Sequence, residues 1–459
     1  MSMVNNSISP LDGRYFKKTR ALTPYFSEQA LMKYRVVMEG EYLIFLSLSG
    51  KTKLKKFKNT EIKKIRSFYK LSPKDYERIK KLEETINHDV KAVEYFLKEK
   101  YSKTSLKNRV GWIHFALTSE DTNNIAYALM LRDALEHVMI PGVKEIIGSL
   151  NQLAKKYKNL PMLARTHGQS ASPTTFGKEM FVFSTRLEKR LEGLKNIKIG
   201  TKLNGATGNY NAHVAAYKNT DWVKFSKKFI NSFNKQKPGV LKLEPNLTTT
   251  QIECHDSYIA IFDTLRRINT ILLDFNQDMW RYISDGWVEQ MPKKREVGSS
   301  TMPHKINPID FENSEGNLGL ANALFEFFAR KLPISRLQRD LSDSTVERSF
   351  GTAFGYTYLA HTSLLKGLSK IRIDKEKIGE DLQNHPEVIT EAIQTILRRE
   401  GMMMPYEKLK ELSRGKKVTL AEIHEFIDTL KVSGKIKEEL KKITPENYIG
   451  LASKLAGLK

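Results

Sequence analysis

The sequence of 459 residues contains one cysteine, Cys254, and no long apolar run. A single thiol excludes an internal disulfide and any cysteine-rich metal site, which fits a reducing, cytoplasmic setting. Because no apolar stretch approaches roughly 18 residues, the chain has no candidate membrane span. Its start, MSMVNNSISP, lacks the basic patch and the apolar stretch of a signal peptide, so we expect no secretion.

Acidic residues are also fewer than basic ones. The chain has 52 Asp and Glu against 76 Lys and Arg, a net charge of +24. Such an excess is common in nucleic-acid-binding proteins. Here the lysines are spread through helical stretches, apart from the dense run KTKLKKFK at 51–58, and no nucleic-acid-binding signature accompanies them. We therefore interpret them as a solvated surface that also steers an anionic substrate, and expect no specific nucleic-acid partner.

Strand-like alternation is scarce, whereas apolar residues recur at helical spacing over long windows. The longest stripe alternates steps of three and four, as the seam of a packed helix does. It consists of Tyr258, Ile261, Leu265, Ile268, Leu272, Phe275 and Met279. A second stripe follows a helix start expected at Pro173 and consists of Met180, Phe183, Leu187, Leu191 and Leu194. A third, with a kink or break expected at Pro141, consists of Ala128, Leu131, Leu135 and Val138.

These patterns predict a mostly α protein. An N-terminal helical domain is expected at 1–107, a central long-helix bundle at 108–368 and a small helical domain at 369–459, with helix breaks at His385–Pro386 and Met404–Pro405. The exception is IGTKLNGATGNYNAH at 199–213, which predicts a short hairpin or an ordered loop. Long apolar helices bury more surface when they pair between subunits, so we expect an oligomer.

The segment GSSTMPHKINP at 298–308 suits neither a core helix nor a strand. Its two prolines, glycine, paired serines and asparagine favour a turn or loop. The loop brings together hydroxyl groups, an imidazole, an ammonium and an amide, on Ser299, Ser300, His304, Lys305 and Asn307. An enzyme needs such groups to take a proton and to hold an anion. A solvated polar loop is the alternative.

Two histidines lie in polar clusters that approach helices. His167 stands in RTHGQSASP at 165–173, and His88 stands between Asn87 and Asp89 in TINHDVKAVEYF at 85–96. An imidazole titrates near neutrality and can exchange a proton with a substrate. Asp89 suits the N-terminal end of the following helix. A structural histidine is the alternative for His167, and a capping segment is the alternative for His88.

Two further clusters suit anion binding. In LTSEDTNN at 117–124, Ser119 and Thr122 form a capping arrangement, while Thr118 and Ser119 add hydroxyls to the free N–H groups of a helix start. In SRLQRDLSDSTVERSF at 335–350, the spacing puts three residues roughly along one side of a helix, where they can together hydrogen-bond a phosphate. These are Arg339, Ser344 and Arg348. A surface ion-pair network with the neighbouring carboxylates is the alternative.

Taken together, these residues resemble the fumarase/aspartase superfamily, whose members eliminate fumarate or a close analogue from a substituted succinate. The segment at 298–308 matches its GSSxMPxKxN signature, and the likeness runs from SPLDGRY at 9–15 to NYIG at 447–450. His304 and the continuation DFENSEGNLGL at 310–320 resemble the longer bacterial form of the branch that cleaves adenylosuccinate. The resemblance implies three domains and a homotetramer whose core is built from helices of all four chains, with each active site drawing on three of them.

The resemblance also implies a role for each cluster. His167, in a match to THGQPATP, is implied as general acid and Ser299 as general base, although the residues alone leave Ser300 open. Ser170 stands where the family has proline, which puts the rigidity of that turn in doubt. The implied substrate-binding residues are Arg14, Tyr15, Asn87, His88, Asp89, Thr118, Ser119, Gln169, Gln251, Ser300, Lys305, Asn307, Arg339, Ser344 and Arg348. Cys254 replaces the usual proline of QIEPHD, and we expect this change to be nearly silent.

Elimination of fumarate breaks a C–H and a C–N bond and passes through a doubly charged carbanion next to a carboxylate, which needs fixed donors and positive charge. One placed base and one placed acid suffice, so no metal and no organic cofactor are expected. The implied substrates are adenylosuccinate, giving AMP and fumarate, and the purine-pathway intermediate SAICAR, giving AICAR and fumarate. Argininosuccinate lyase, fumarase and aspartase are the alternatives within the superfamily, but their substrates carry no phosphate. A lyase-like structural protein and a nucleic-acid-binding protein are the alternatives outside catalysis.

Overall fold

Helices dominate the computed structural model, which describes residues 7–291, 301–403, 405–413 and 418–457. Up to residue 236 the α-helices are α1 (Phe16–Thr19), α2 (Thr23–Phe26), α3 (Glu28–Ser49), α4 (Asn59–Ser67), α5 (Pro73–Ile86), α6 (Asp89–Ser102), α7 (Ser119–Ala134), α8 (Ile140–Lys156), α9 (Phe176–Lys195), α10 (Asn211–Ala216) and α11 (Trp222–Gln236). The later α-helices are α12 (Asp256–Ser284), α13 (Ile309–Lys331), α14 (Ser342–Glu347), α15 (Phe350–Leu368), α16 (Lys375–Gln383), α17 (Thr390–Arg399), α18 (Pro405–Ser413), α19 (Leu420–Thr429), α20 (Gly434–Lys441) and α21 (Ala452–Leu455). The mostly α prediction is confirmed.

Six short strands form three two-stranded sheets among the described residues. They are β1 (Pro161–Thr166), β2 (Gln169–Thr175), β3 (Lys198–Thr201), β4 (Lys242–Pro245), β5 (Val288–Gln290) and β6 (Ile371–Ile373). The pairs β1–β2 and β5–β6 are antiparallel, and β3–β4 is parallel. Such small sheets bury little surface, so the helices carry the core.

Helix α12 confirms the longest apolar stripe. All seven residues from Tyr258 to Met279 that the spacing selects are at most 1% exposed. The stripe on α9 is confirmed as well, since Met180, Leu187 and Leu194 are fully buried. Burial of an unbroken row of large side chains is the main free-energy gain of such helices.

The last two residues of the third stripe, Leu135 and Val138, lie where the helix changes type. Between α7 and α8 the chain forms a π-helical turn, Leu135–Met139, and α8 begins at Ile140. Pro141 has no N–H to give to the preceding turn, and a widened turn is one way in which a helix accommodates that loss. The break expected at Pro141 is thus a π turn just before it, within an otherwise continuous helical segment.

The prediction of a helix start at Pro173 is wrong. Pro173 lies inside β2, and α9 begins three residues later at Phe176. Residues 161–175 instead form a hairpin whose register pairs Thr166 with Gln169 and Pro161 with Thr175. A proline within a two-stranded ribbon needs no partner on its outer side, so the hairpin tolerates it.

The glycine- and asparagine-rich stretch at 199–213 is an ordered loop, and its hairpin alternative is wrong. Its first residues belong to β3, which pairs in parallel with β4 more than forty residues later in the chain. The stretch then crosses a loop and enters α10 at Asn211.

The chain divides into two compact units. The first contains the residues up to 143 together with 190–270 and 316–362, and the second contains 144–189, 271–315 and the residues from 363 onward. Within the first unit, α3 packs on α7, and α5 packs on α6. Within the second, the β1–β2 hairpin packs on α16. The three consecutive domains expected from the sequence stay a prediction.

Candidate active site

His167 occupies the tip of the β1–β2 hairpin in the second unit. His167 and Gly168 form its two-residue turn, and both have positive φ, 53° and 76°. Two successive positive φ angles are typical of the type I′ turn, which matches the twist of a hairpin. Histidine, like asparagine, enters this region more readily than most residues do. The turn leaves the His167 side chain and the neighbouring Gln169 exposed.

Arg165, which lies near the tip of the hairpin, holds it against other residues of the second unit. Its guanidinium lies 3.0 Å from an oxygen of Asp381 and 5.5 Å from the ring centre of Trp287. Ser170, which departs from the family's proline, lies opposite Arg165 in β2 and outside the two-residue turn. With serine at this position, His167 and Gly168 keep the positive φ angles of the turn.

The signature loop is described only in part. Ser299 and Ser300 lie outside the described residues. After them, Lys305 is exposed, and its N–H donates to the Met302 carbonyl at 3.1 Å. Asn307 is half-buried two residues before α13 begins. The described part of the loop thus presents the Lys305 ammonium at the start of a long helix.

In the first unit, His88 lies beside Ser119. His88 is the N-cap of α6, and its Nδ1 accepts the Lys91 N–H at 3.1 Å. Because Nδ1 is an acceptor, neutral His88 carries its proton on Nε2, which lies 3.4 Å from Ser119 Oγ. Asn87 ends α5 with φ of 49°, a left-handed C-cap that turns the chain sharply into α6. Both Asn87 and His88 are exposed.

Asp89 is the first residue of α6, as expected, and two arginines share its carboxylate. Oδ2 of Asp89 accepts from Arg35 at 2.7 Å and from Arg348 at 2.9 Å. Partial burial disfavours the charged form, but the two guanidinium groups outweigh it and hold the pKa of Asp89 well below its usual range. Arg35 is buried while the Arg348 side chain is 47% exposed, so Arg348 keeps donors available to a ligand.

Thr118 and Ser119 stand at the N-terminal end of α7. Thr118 is the N-cap and its N–H donates to Asp121 Oδ2 at 3.0 Å, so the expected pairing of Ser119 with Thr122 is wrong by one residue. The Thr122 hydroxyl instead donates to Glu39 at 2.8 Å. The positive end of the helix dipole and the half-buried hydroxyls of Thr118 and Ser119 are suited to a carboxylate.

Gln251 and Arg339 line an open cleft of about 470 Å³ with Ala206, Thr207 and residues 337–341. Arg339 donates to Gln251 Oε1 at 3.1 Å and lies 3.3 Å from Glu120. Gln251 Nε2 donates to the Ala206 carbonyl at 2.9 Å. The cleft therefore presents an amide and a guanidinium whose orientations are fixed by protein contacts.

The expected common helix face of Arg339, Ser344 and Arg348 is wrong. Helix α14 begins at Ser342, so Arg339 precedes it and Arg348 caps its end. Arg339 joins Gln251 and Arg348 joins Asp89, while the Ser344 N–H donates to Asp343 at 2.6 Å. The alternative, a surface network with Asp340, Asp343 and Glu347, is met only in part, because of these three carboxylates only Asp343 lies near Arg339, at 3.8 Å.

Arg14 and Tyr15 end a turn near the N-terminus. Arg14 is exposed and lies 5.8 Å from the Tyr15 ring centre, and Tyr15 is half-buried. Other residues of the same N-terminal segment, between positions 9 and 28, line a cavity of about 360 Å³. The rest of its lining is formed by Arg348, Gly351, Thr352 and Gly355.

A buried group of charges behind the cleft was missed by the sequence analysis. His255 Nε2 lies 3.1 Å from Glu347, and both side chains are at most 2% exposed. Burial lowers the pKa of His255, but the hydrogen bond and charge of Glu347 outweigh it and raise the pKa to about 9. Burial, with the charge of Glu347, raises the pKa of Glu120 to about 8. No local motif links His255 with a glutamate 92 residues away, so only the fold reveals the pair.

The described residues contain no group of three or more His, Cys, Asp or Glu side chains with the geometry of a metal site. None of the described helices is both long and apolar enough to span a membrane.

Comparisons with known proteins agree with this fold. A family model described as lyase matches residues 13–322, and one described as adenylosuccinate lyase C-terminal matches residues 335–449. The solved structures of a fumarate lyase from Mesorhizobium sp. BNC1 (TM-score 0.75, 17% identity, 96% of each chain) and of a 3-carboxy-cis,cis-muconate lactonizing enzyme from Pseudomonas putida (TM-score 0.73, 18% identity, 95% of each chain) have the same fold. The helical fold and the matched lyase family define an enzyme of the fumarase/aspartase superfamily.

Similarity in sequence narrows the class. The chain is 49% identical over 456 residues to the adenylosuccinate lyase of Legionella pneumophila (strain Corby), covering 98% of both chains. It is 47% identical over 449 residues to that of Escherichia coli (strain K12), covering 97% of both, and 49% identical over 457 residues to that of Dictyostelium discoideum, covering 97% of this chain and 96% of the relative. The chain belongs to the adenylosuccinate lyase family.

Proposed function

We propose that the chain cleaves adenylosuccinate to AMP and fumarate, and SAICAR to AICAR and fumarate. The observation that carries this proposal is the set of anion-binding groups in the first unit. The start of α7 with Ser119 beside His88, the guanidinium groups of Arg339 and Arg348, and the Gln251 amide suit a substrate with carboxylates and a phosphate. Membership of the adenylosuccinate lyase family supports the same reaction.

Two proton transfers are assigned to single residues. Ser299 is proposed to take the proton from the carbon next to a succinyl carboxylate, and His167 to protonate the leaving nitrogen. A serine hydroxyl is a poor base in water, so Ser299 requires a neighbouring positive charge such as Lys305 to stabilise its alkoxide. The exposed imidazole of His167 at a hairpin tip supports its role, since a group that meets a substrate must be accessible.

The remaining residues are proposed to bind substrate. Thr118, Ser119 and Gln251, with Lys305 and Asn307, hold the succinyl carboxylates and the negative charge that develops on them. Phosphate and ribose are assigned to Arg14, Tyr15, Arg339, Ser344 and Arg348. The exposed half of Arg348 supports this, because Asp89 engages one side of its guanidinium and leaves other donors available. Asn87, His88, Asp89, Gln169 and Ser300 complete the proposed site.

We propose a homotetramer with shared active sites, located in the cytoplasm. Large apolar side chains on the surfaces of long helices support the oligomer. Trp280 on α12 is 45% exposed, and Leu320 and Phe327 on α13 are 53% and 45% exposed. Large exposed apolar groups on long helices are costly in water and are covered when helices pair between subunits.

The first experiment follows adenylosuccinate by ultraviolet absorbance, with wild type beside Ser299→Ala and His167→Ala. Rapid release of AMP and fumarate by wild type, lost in both variants, is the expected result. If Ser299→Ala stays active, Ser300 becomes the candidate base. A folded wild type that leaves adenylosuccinate and SAICAR intact would contradict the proposed function.

The proposal that active sites are shared between subunits can be tested by complementation. A mixture of the two inactive variants, unfolded and refolded together, regains part of the activity if one site draws Ser299 and His167 from different chains. If each site takes both residues from one chain, the mixture stays inactive, and the shared-site proposal fails while the reaction stands.

A further inference from the structure

In the first unit, Lys202 and Asp121 form a fully buried ion pair. Lys202 Nζ lies 2.9 Å from Asp121 Oδ1, and both side chains are 0% exposed. The ammonium also donates to the carbonyl of Gly205 at 2.9 Å and to the carbonyl of Gln251 at 2.8 Å. Its three N–H groups thus have three acceptors, the condition under which a buried charge is tolerated.

The partners of Asp121 reach the start of α7. Its Oδ2 accepts the N–H of Thr118 at 3.0 Å, and its two oxygens accept the N–H groups of Asn204 and Gly205 at 3.1 Å each. One carboxylate therefore fixes the N-cap of α7 against the loop that follows β3. Through Lys202 the same carboxylate is tied to the main chain at Gln251.

We propose that Lys202 is a positioning residue for substrate binding. Its ammonium holds the first turn of α7, with Thr118 and Ser119, at a fixed distance from Gln251. The inference rests on the proposed function, in which these residues bind the succinyl part of the substrate. Without the ammonium, the Asp121 carboxylate and the Gln251 carbonyl lose their common donor. The start of α7 and Gln251, which together bind the succinyl part, are then no longer held at a fixed distance.

The main chain of Lys202 is anchored independently of its ammonium. Its N–H donates to Asn124 Oδ1 at 2.8 Å, and Asn124 Nδ2 donates back to the Lys202 carbonyl at 3.1 Å. Methionine, with a side chain of similar length and no charge, leaves these two bonds in place. Lys202→Met therefore keeps the two main-chain anchors and removes the three contacts of the ammonium, with Asp121, Gly205 and Gln251.

The test compares product inhibition by fumarate and by AMP. In Lys202→Met, we expect the inhibition constant of fumarate to rise about tenfold, while that of AMP changes less than about twofold. The matched control is Arg132→Met, which removes a buried cation from α7, the helix whose first turn Lys202 holds; Arg132 is 4% exposed and lies 3.0 Å from Asp133. This control is expected to lower stability and leave both constants unchanged.

A purely structural role gives a different result. If Lys202→Met lowers the melting temperature and leaves the fumarate constant at the wild-type value, the proposal is overturned. Should Lys202→Met fail to fold, the double variant Lys202→Met/Asp121→Asn removes both buried charges and keeps an acceptor for Thr118. We expect it to fold with the same weakened fumarate inhibition, and a wild-type fumarate constant in this variant also overturns the proposal.

Amide hydrogen exchange distinguishes this inference from the proposed reaction. A wild type that neither cleaves adenylosuccinate nor binds fumarate contradicts the proposed function. The ligand-free protein still reports on positioning, because Lys202→Met is expected to speed exchange at both 117–121 and 249–251. Unchanged exchange in these two segments would contradict the role of Lys202, whatever the reaction.

Discussion

Arg339 donates a hydrogen bond to Gln251 Oε1 at 3.1 Å, across 88 residues of sequence. Because Gln251 Nε2 also donates to the Ala206 carbonyl at 2.9 Å, the amide is fixed in one orientation. Each end of the amide retains one further hydrogen-bonding position, a lone pair on Oε1 and a second N–H on Nε2. The free N–H is the group suited to a substrate carboxylate.

The first prediction changes that amide to a carboxylate. Gln251→Glu puts negative charge beside the Ala206 carbonyl and against an anionic substrate, while the bond to Arg339 can form. We expect KM for adenylosuccinate to rise about tenfold or more, with little loss of stability. Steady-state kinetics measures the change, and Gln383→Glu, at an exposed position of α16, is the control. An unaltered KM would remove Gln251 from the proposed site.

The second prediction concerns the Asp89 carboxylate. Asp89→Asn leaves buried Arg35 without its ionic partner and should lower the free energy of unfolding by about 2–3 kcal/mol at pH 7. Since the pKa of Asp89 is depressed in the folded state, its contribution exists above the unfolded pKa of about 4 and is lost as the pH falls below it. Urea unfolding at pH 7 and at about pH 3 measures both effects.

Its control is Asp263→Asn, which breaks an exposed pair with Arg266 at 3.1 Å. That change should cost less than about 0.5 kcal/mol. Equal losses in the two variants would mean that the contacts of Asp89 with Arg35 and Arg348 contribute no more than a surface pair.

The third prediction follows from His255 and Glu347. The pKa of His255 is raised to about 9 in the folded state, so its stabilising contribution is complete below about pH 6.5 and is lost as the pH rises to about 9. His255→Gln should remove on the order of 2 kcal/mol of this pH dependence. Glu120, whose pKa is raised to about 8, acts in the same direction and leaves part of the slope in the variant.

Urea unfolding at pH 6.5, 7.5 and 9 measures the slope. His137→Gln, at an exposed histidine in the π turn, is the control and should leave it unchanged. Parallel curves for wild type and His255→Gln would show that the buried pair does not hold the extra proton.

The fourth prediction separates the backbone of His167 from its imidazole. Asparagine also adopts positive φ readily, so His167→Asn should keep the hairpin and a melting temperature within about 2 °C of wild type. Loss of the proposed acid should lower kcat by about 10²–10⁴. His167→Val, which is β-branched, should lose stability as well as activity. Wild-type kcat in the asparagine variant would exclude His167 as the acid.

Sequence periodicity predicted the long helices well and the hairpin poorly. The stripe on α12 is unambiguous, because seven large apolar residues keep one face over six turns. In the hairpin, the burial of β1 and β2 follows no strict alternation, and Pro173 is a stronger helix-start signal than the strands are strand signals. The two strands pair across a histidine–glycine turn, and the apolar pattern of either segment alone does not predict this pairing.

In the candidate site, too, local sequence patterns predict neighbouring residues but not the contacts between distant segments. Asn87, His88 and Asp89 follow each other in sequence, so their common position could be predicted from the sequence. Arg339 and Arg348 are close in sequence, yet they contact Gln251 and Asp89 respectively, because α14 starts too late to include Arg339. Contacts that depend on where a helix begins, such as these, require the fold itself.

The left-handed backbone at His167 restricts which residues evolution can substitute there. Histidine, asparagine and aspartate are the side-chain-bearing residues that most readily adopt its φ of 53°. Of these three, only histidine has an ordinary pKa near neutrality. Lysine, tyrosine and cysteine adopt this conformation less readily, so turn geometry and acid–base chemistry together favour histidine at this position.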